Sequence, residues 1–163
     1  MELAPERIKH VGKDQGTAYW EMGASLVSFK ATSEDTGGRY ALFEVEDAAH
    51  SGPPMHRHTR EDEAYFILEG EYEIHYPGGG APLRLLPGAY VHVPLGTVHT
   101  YKCTVSGRML VLLSPGGGEK FFADLGELAL DRQKPPAHPI MHDPAEVAAI
   151  AARHGIEVLG PPA

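Results

Sequence analysis

The sequence predicts an all-β barrel or sandwich followed by one or two C-terminal helices. Short apolar segments recur at near-even spacing and are separated by glycine and proline, which is typical of barrels and sandwiches. After Pro115 the apolar residues recur at helical spacing instead. At 163 residues the chain can bury a hydrophobic core as one domain. We predict a single domain over 1–163, with a barrel core at about 17–115 and a helical extension at about 119–163.

The first strands are predicted before the first pair of prolines. Aromatic and aliphatic residues fill 17–31, and Gly23 divides this segment into one or two strands. A turn is expected at 34–38, and the next strand at 40–45. The loop over 47–54 ends in two prolines, which favour an extended backbone at its end.

Residues 63–76 are predicted to form a β-hairpin. A strand reaches Glu69, Gly70 makes the turn, and apolar and charged residues then alternate over 71–76. A flexible glycine-rich loop follows at 77–80. Further strands are expected at 83–86, 89–93, 98–105 and 109–113.

The C-terminal extension begins after a glycine hinge at 116–118. Apolar residues in 119–130 have the spacing of a helix and include Phe121 and Phe122. These two side chains either close the mouth of the barrel as a lid or belong to a helix packed on its outside. A proline-rich linker is expected at 134–141.

A second helix start follows the linker. Asp143 is suited to the N-cap position, the next residue is proline, and Glu146 stands three residues after the cap. This helix is expected to reach about His154 and to end at Gly155. Residues 156–159 are expected to add a short strand or a packed tail.

The composition excludes several kinds of partner and site. The net charge is −8 and there is no basic cluster, which argues against a nucleic acid or an anionic membrane as partner. The first twenty residues lack the apolar segment of a signal peptide, and the longest aliphatic run, 109–113, is too short to span a bilayer. A single cysteine excludes an internal disulfide and fits a reducing compartment. We therefore expect a cytoplasmic protein that binds neither nucleic acid nor a membrane.

Four residues are predicted to form a metal site. His56 and His58 are two residues apart, so on a strand they point to the same face. Glu63 follows a polar segment, 59–62, that indicates a turn or bulge, and His99 follows a tight proline–glycine bend. Since His-x-His also occurs on solvated strands, the joint spacing carries the prediction. Three imidazoles and a carboxylate suit one divalent ion of Fe, Mn, Co, Ni, Cu or Zn.

The spacing of these residues resembles the two motifs of the cupin family. Written out, it is His-x-His-x4-Glu-x6-Gly followed by Gly-x5-Pro-x-Gly-x2-His, with matches at His56, His58, Glu63, Gly70, Gly88, Pro94, Gly96 and His99. Two positions depart from the family pattern: Cys103 stands where asparagine is frequent, and Gly52 lies closer to His56 than usual. Neither is a ligand position. The resemblance implies a double-stranded β-helix, the jelly-roll barrel of cupins.

Within the family the chain is most similar to small single-barrel cupins that resemble quercetin 2,3-dioxygenase. The segments 61–70 and 151–157 carry this similarity. It implies oxygen-dependent ring cleavage of a hydroxylated aromatic or other enolisable molecule, with Glu63 as both metal ligand and catalytic base. Two alternatives stay open, because cupin barrels carry many functions. One is a redox-neutral isomerase or lyase that uses the metal as a Lewis acid, and the other is a non-catalytic binding or sensing module.

Three further residues are candidates for a substrate pocket. Tyr65 shares a strand face with Glu63. Tyr101 and Cys103 share a face with His99 if that strand is regular. All three could line the space beside the metal, or they could be ordinary core residues.

The outer face of the barrel predicts a homodimer. Phe66 and Leu68 point away from the face of Glu63 and should lie outside the barrel. Large apolar residues on an outer face usually contact a partner, and sheet edges also need to be covered.

Overall fold

Within residues 8–163, ten β-strands and three short helices make up the fold. The computed structural model describes residues 8–163, so residues 1–7 of the predicted domain lie outside the described residues. The strands are β1 (Ala18–Glu21), β2 (Ser25–Ala31), β3 (Ala41–Asp47), β4 (Met55–His58), β5 (Asp62–His75), β6 (Leu83–Leu85), β7 (Tyr90–Val93), β8 (Thr100–Ser114), β9 (Glu127–Leu128) and β10 (Ile156–Gly160). The helices are α1 (Ser33–Thr36), α2 (Lys120–Leu125) and α3 (Pro144–Arg153).

The strands pair in an antiparallel pattern that confirms the predicted all-β fold. Eight strands form one sheet in the order β6-β5-β8-β3-β2-β1-β9, with β7 also paired to β5. The remaining two strands, β4 and β10, pair with each other. The predicted break at Gly23 is confirmed, since β1 ends and β2 begins on either side of it.

Side chains at alternate positions of the central strands fill the interior of the barrel. This is the period-two pattern of strands with one buried face. Burying each large side chain stabilises the fold by about 1.5–3 kcal/mol. The residues at the centre of this core include Val27, Phe43, Val45, Tyr65, Ile67, Tyr72, Met109, Val111 and Leu113.

The prediction of a hairpin at 63–76 was wrong, because β5 is one continuous strand through Gly70. It pairs with β8 along its whole length, from Asp62 opposite Ser114 to His75 opposite Thr100, and the register shifts near Gly70. Gly70 has a φ of +77°. A Cβ at this position would lie 2.6 Å from the Cα of Gly107 on β8. Gly70 therefore forms a β-bulge where β5 and β8 approach closely. The sequence pattern had instead indicated that the chain turns back at this residue.

The turn predicted at 34–38 overlaps the short helix α1, which begins one residue earlier at Ser33. Thr32 caps its N-terminus, and Gly37 ends it in the left-handed conformation, with a φ of 62°. Glycine adopts this conformation without a steric penalty, so the chain turns after α1 at Gly37, within the predicted turn.

The C-terminal extension packs against the barrel and adds a strand to it. The predicted capping box of α3 is confirmed, with the backbone N–H of Glu146 donating to Asp143 at 2.8 Å. The helix gives way to the tail at Gly155, whose φ is 75°. The tail then forms β10, which pairs with β4 so that Ile156 lies opposite His58 and Val158 opposite His56. None of the described helices is long and apolar enough to cross a membrane.

An exposed apolar surface on β5, β7 and β8 motivates a test of the expected dimer. Phe66 is 42% exposed and lies opposite Tyr90, which is 64% exposed. Leu112 on β8 adds to the same surface, whereas Leu68 is half-buried. Because such a surface is stabilised by apolar contact, we expect light scattering at micromolar concentration to give the mass of two chains.

Phe66→Glu should convert the dimer to a monomer, because it places a charge at the centre of the contact. The control is Leu130→Glu, which alters an apolar residue that is already 93% exposed and should leave the dimer intact. A wild-type protein that scatters as one chain contradicts the prediction.

Candidate metal centre

Three imidazoles and one carboxylate converge at one end of the barrel interior. His56 and His58 lie on β4, Glu63 lies on β5, and His99 immediately precedes β8. The four side chains are buried. Two backbone hydrogen bonds of 2.9 Å join His56 and His99 in an isolated antiparallel bridge. The strand bearing two histidines is thereby held against the segment bearing the third.

The ligand atoms lie close enough to share one ion. Those of His56, His58 and Glu63 all lie within 4.8 Å of one another. His99 is not part of this tight group, but its Nε2 lies 3.0 Å from Oε2 of Glu63. Nε2 of His58 lies 3.1 Å from the same oxygen. The structure thus brings together all four predicted ligands, with His99 at the margin of the group.

Each of the three imidazoles is oriented by an acceptor at Nδ1. The Nδ1 of His56 lies 2.8 Å from the carbonyl oxygen of Pro54, and the Nδ1 of His99 lies 2.9 Å from that of Thr97. The Nδ1 of His58 lies 2.6 Å from Oε1 of Glu61. Such acceptors fix the proton on Nδ1 and leave the Nε2 lone pair for a ligand bond.

The donor set fits a divalent transition metal. With the protons on Nδ1, the Nε2 lone pairs of His58 and His99 both point at Oε2 of Glu63. Lone pairs repel the charged oxygen, so a cation must lie between these three atoms or one imidazole must be protonated. Burial opposes charge on Glu63, but the charges and hydrogen bonds of His58 and His99 together outweigh burial and hold the pKa of Glu63 well below its usual range. Burial opposes charge on His58 as well, yet Glu63 and Glu61 raise its pKa to about 10. The site therefore stabilises a cation, and nitrogen and oxygen donors without a thiolate suit a first-row divalent metal.

Glu61 is a buried residue of the candidate site that the sequence analysis missed. It was included in a polar turn, but its side chain is only 3% exposed and accepts the hydrogen bond from His58. Gly118 packs against it, and a Cβ at Gly118 would lie 2.5 Å from Oε1 of Glu61. A carboxylate three residues after the candidate ligand His58 could have indicated a partner for its imidazole. The charged neighbours Arg60 and Asp62 instead give the segment the composition of a surface turn.

The candidate metal site opens into a largely apolar cavity with two adjoining chambers that share several wall residues. The first, of about 90 Å³, is lined by the candidate ligands His56, His58 and Glu63. The second, of about 170 Å³, extends toward β1 and β2. Both include Glu63, Tyr65 and Tyr101 in their walls. A ligand can therefore contact Glu63 from either chamber.

The two predicted pocket tyrosines line this cavity. The hydroxyl of Tyr65 lies 3.0 Å from Nε2 of His99. Tyr101 packs edge-on against Tyr65, with 5.8 Å between ring centroids. Burial raises the pKa of both phenols well above the usual range, so both remain neutral hydrogen-bond donors at physiological pH.

Cys103 does not line either chamber, in contrast to the prediction. Beyond Tyr101, β8 carries it to the level of Tyr72, its register partner. There its thiol is fully buried and donates to the carbonyl oxygen of Val105 at 3.2 Å. Tyr101 and Cys103 share a strand face, but the cavity ends between them. The alternation of faces predicts the side of the strand and does not predict how far the cavity extends.

The C-terminal extension closes the cavity. Phe121 and Phe122 line both chambers, and the ring of Phe122 packs 5.0 Å from that of Phe43 in the barrel core. Their helix therefore contributes to the cavity wall, while Phe122 also packs against the barrel core. Further side chains of the extension complete the wall of the first chamber, namely Val147, Ala151, Ile156 and Val158.

Comparisons with known proteins agree with this architecture. Residues 42–115 match the family model described as Cupin domain. Over 106 residues, 64% of its length, the chain is 30% identical to quercetin 2,3-dioxygenase of Bacillus subtilis (strain 168). The chain spans only 31% of the length of that relative.

Solved structures show the same fold at low sequence identity. The polyketide cyclase RemF from Streptomyces resistomycificus is 18% identical, and the match covers 91% of this chain and 99% of that one with a TM-score of 0.60. A cupin-superfamily sugar phosphate isomerase from Silicibacter pomeroyi is 14% identical, with 67% and 77% covered and a TM-score of 0.57. The motif residues, the barrel and the family match together identify residues 42–115 as a cupin domain.

Proposed function

We propose that the protein is a metal-dependent dioxygenase that acts on a hydroxylated aromatic or other enolisable small molecule. The observation that carries this proposal is the position of Glu63, a buried, ionised carboxylate between two imidazoles at the wall of an apolar cavity. The similarity to quercetin 2,3-dioxygenase supports the same reaction class.

The metal ligands in this proposal are His56, His58 and Glu63, with His99 as a fourth. When bound, a divalent transition metal supplies Lewis acidity and, for a redox-active ion, electron transfer to dioxygen. Four protein ligands leave coordination positions for small molecules, which is the requirement of a catalytic site.

Glu63 has a second role as the base that removes the proton of a substrate hydroxyl. Its low pKa keeps the carboxylate ionised at neutral pH, and both chambers give a substrate access to it. Loss of this proton makes an enolisable substrate electron-rich, which prepares it for attack by dioxygen. Tyr65 and Tyr101 can orient the substrate oxygen by donating hydrogen bonds from neutral phenols.

The walls of the cavity protect the reaction from water. Phe43, Phe121 and Phe122 form an aromatic side of the cavity on which a planar ring can pack. An apolar surrounding also strengthens the hydrogen bonds formed inside the site.

A redox-neutral isomerase or lyase is the second candidate, because the cavity holds a proton acceptor beside a hydrogen-bond donor. Glu63 can take a proton, and the neutral phenol of Tyr65 can hold the substrate oxygen by donating a hydrogen bond, so this chemistry needs no electron transfer.

Elemental analysis of the purified protein, followed by an oxygen electrode, separates the candidates. We expect about one metal ion per chain and oxygen uptake with a flavonol, lost after chelation and restored by the metal. Conversion of an enolisable substrate without oxygen uptake supports the isomerase or lyase. If polyphenols bind without conversion, the protein is a binding or sensing module.

A further inference from the structure

The second chamber contains a carboxyl group that the proposed reaction does not use. Glu21 is the last residue of β1, and its side chain lines this chamber while only 8% of the residue is exposed. Within the part of the chain that the structure describes, neither of its carboxyl oxygens has a hydrogen-bond partner. A buried polar group without a partner is unfavourable, so its presence on a cavity wall indicates a ligand contact.

The surroundings of Glu21 make space for this carboxyl group without neutralising it. A Cβ at Gly126, the residue that ends α2, would lie 2.4 Å from Oε1 of Glu21. The absence of a side chain at Gly126 therefore leaves room for the carboxyl group. Burial alone raises the pKa of Glu21 to about 8, with no opposing contribution from a cation. At neutral pH the group is mostly an uncharged carboxylic acid, which can both donate and accept a hydrogen bond.

The serine hydroxyls of the chamber already have partners. Ser25 donates to Oδ1 of Asp47, and Ser51 donates to the carbonyl oxygen of Ala48 at 2.6 Å. Glu21 therefore remains the side chain of this wall whose polar atoms are buried and free among the described residues.

The position of Glu21 relative to Glu63 suggests one elongated ligand. Both residues line the second chamber, whose other walls are largely apolar. A ligand whose enolisable end reaches Glu63 would thus have its other end near Glu21, with an apolar or aromatic middle between the two carboxyl groups.

We propose that Glu21 is a specificity-determining residue that binds a hydroxyl group at the far end of the ligand. This inference rests on the proposed function, because that function places the reacting end at Glu63. It goes further by requiring a second hydrogen-bonding group on the substrate, separated from the first by an apolar body. A neutral hydroxyl is matched to a neutral carboxyl group, since each donates one hydrogen bond and accepts another.

Binding of two matched fragments tests the inference without turnover. 4-Fluorophenol and 4-fluorotoluene differ by a hydroxyl in place of a methyl group and can each be titrated by fluorine NMR. The wild-type protein should bind 4-fluorophenol roughly tenfold more tightly, since the fragment satisfies a buried acceptor and donor. Because the assay needs no oxygen or catalysis, its failure is distinct from failure of oxygen uptake.

Two variants assign the preference to Glu21. Glu21→Leu keeps the size of the side chain and removes its hydrogen bonds, so the preference for the phenol should disappear. Glu21→Gln still donates and accepts, so most of the preference should remain. Both variants should fold, since the wild-type group has no described partner to lose, and thermal melting checks this.

Three results would overturn the inference. The wild-type protein would show no preference for the phenol, or Glu21→Leu would keep the preference because the hydroxyl binds elsewhere. A loss in Glu21→Gln equal to that in Glu21→Leu would show that the site needs an ionised carboxylate. Tighter binding of 4-fluorobenzylamine than of the phenol would then identify the occupant as a cation.

Discussion

His58→Ala should leave the purified protein with little bound metal. The change removes one of the three ligand atoms that lie within 4.8 Å of one another, and it leaves the carboxylate of Glu61 buried without its imidazole partner. Loss of a residue that merely orients a ligand typically weakens metal binding about 10- to 100-fold, so loss of the ligand itself should exceed about 100-fold. Elemental analysis and competition with a chelator measure the two quantities.

Glu61→Gln provides a graded comparison for this variant. It keeps all four ligands and replaces a charged acceptor with a neutral one at Nδ1 of His58, so metal affinity should fall about 10- to 100-fold. His92→Ala is the matched control, because His92 is exposed, pairs with Asp62 on the surface and should retain full affinity. A full equivalent of metal bound to His58→Ala at wild-type affinity would remove His58 from the ligand set.

The candidate ligands could be predicted from the sequence because of their joint spacing, to which short-range geometry contributes. Residues two apart on a strand share a face, which orients His56 and His58 before any tertiary contact forms. The bend before His99 is equally local, with the N–H of Thr97 donating to the carbonyl oxygen of Pro94 at 3.0 Å. The cap of α3 follows from Asp143 and its neighbours in the same way.

The remaining parts of the site depend on contacts between residues far apart in the chain. Burial of Glu61 requires Gly118 to pack on it, and burial of Glu21 requires Gly126 to leave room. Pairing of β10 with β4 brings the last strand against the histidine ligands, and the sequence of neither strand specifies this partner. A positive φ at Gly70 is compatible with both a turn and a bulge, so only the pairing with β8 decides between them.

The second large effect is expected for Glu63→Gln, which should lose far more activity than metal. Glutamine keeps a side-chain oxygen that can still coordinate, so part of the metal should remain. It cannot accept the substrate proton at neutral pH, and general-base catalysis typically contributes about 10²- to 10⁴-fold. Turnover of a flavonol under air, divided by the metal content of each preparation, should fall by that factor.

Comparison with Glu63→Asp separates the base from the ligand. Aspartate restores a carboxylate at a shorter reach, so it should recover part of the rate per bound metal that glutamine loses. Equal losses of metal and rate in Glu63→Gln would restrict Glu63 to a ligand role, and full activity per metal would exclude it as the base. The histidine variants should show the opposite pattern, in which the rate follows the metal content. In His56 and His99 the Nδ1 donates to a carbonyl oxygen and the Nε2 would bind the metal. Neither imidazole then has a lone pair left to accept the substrate proton.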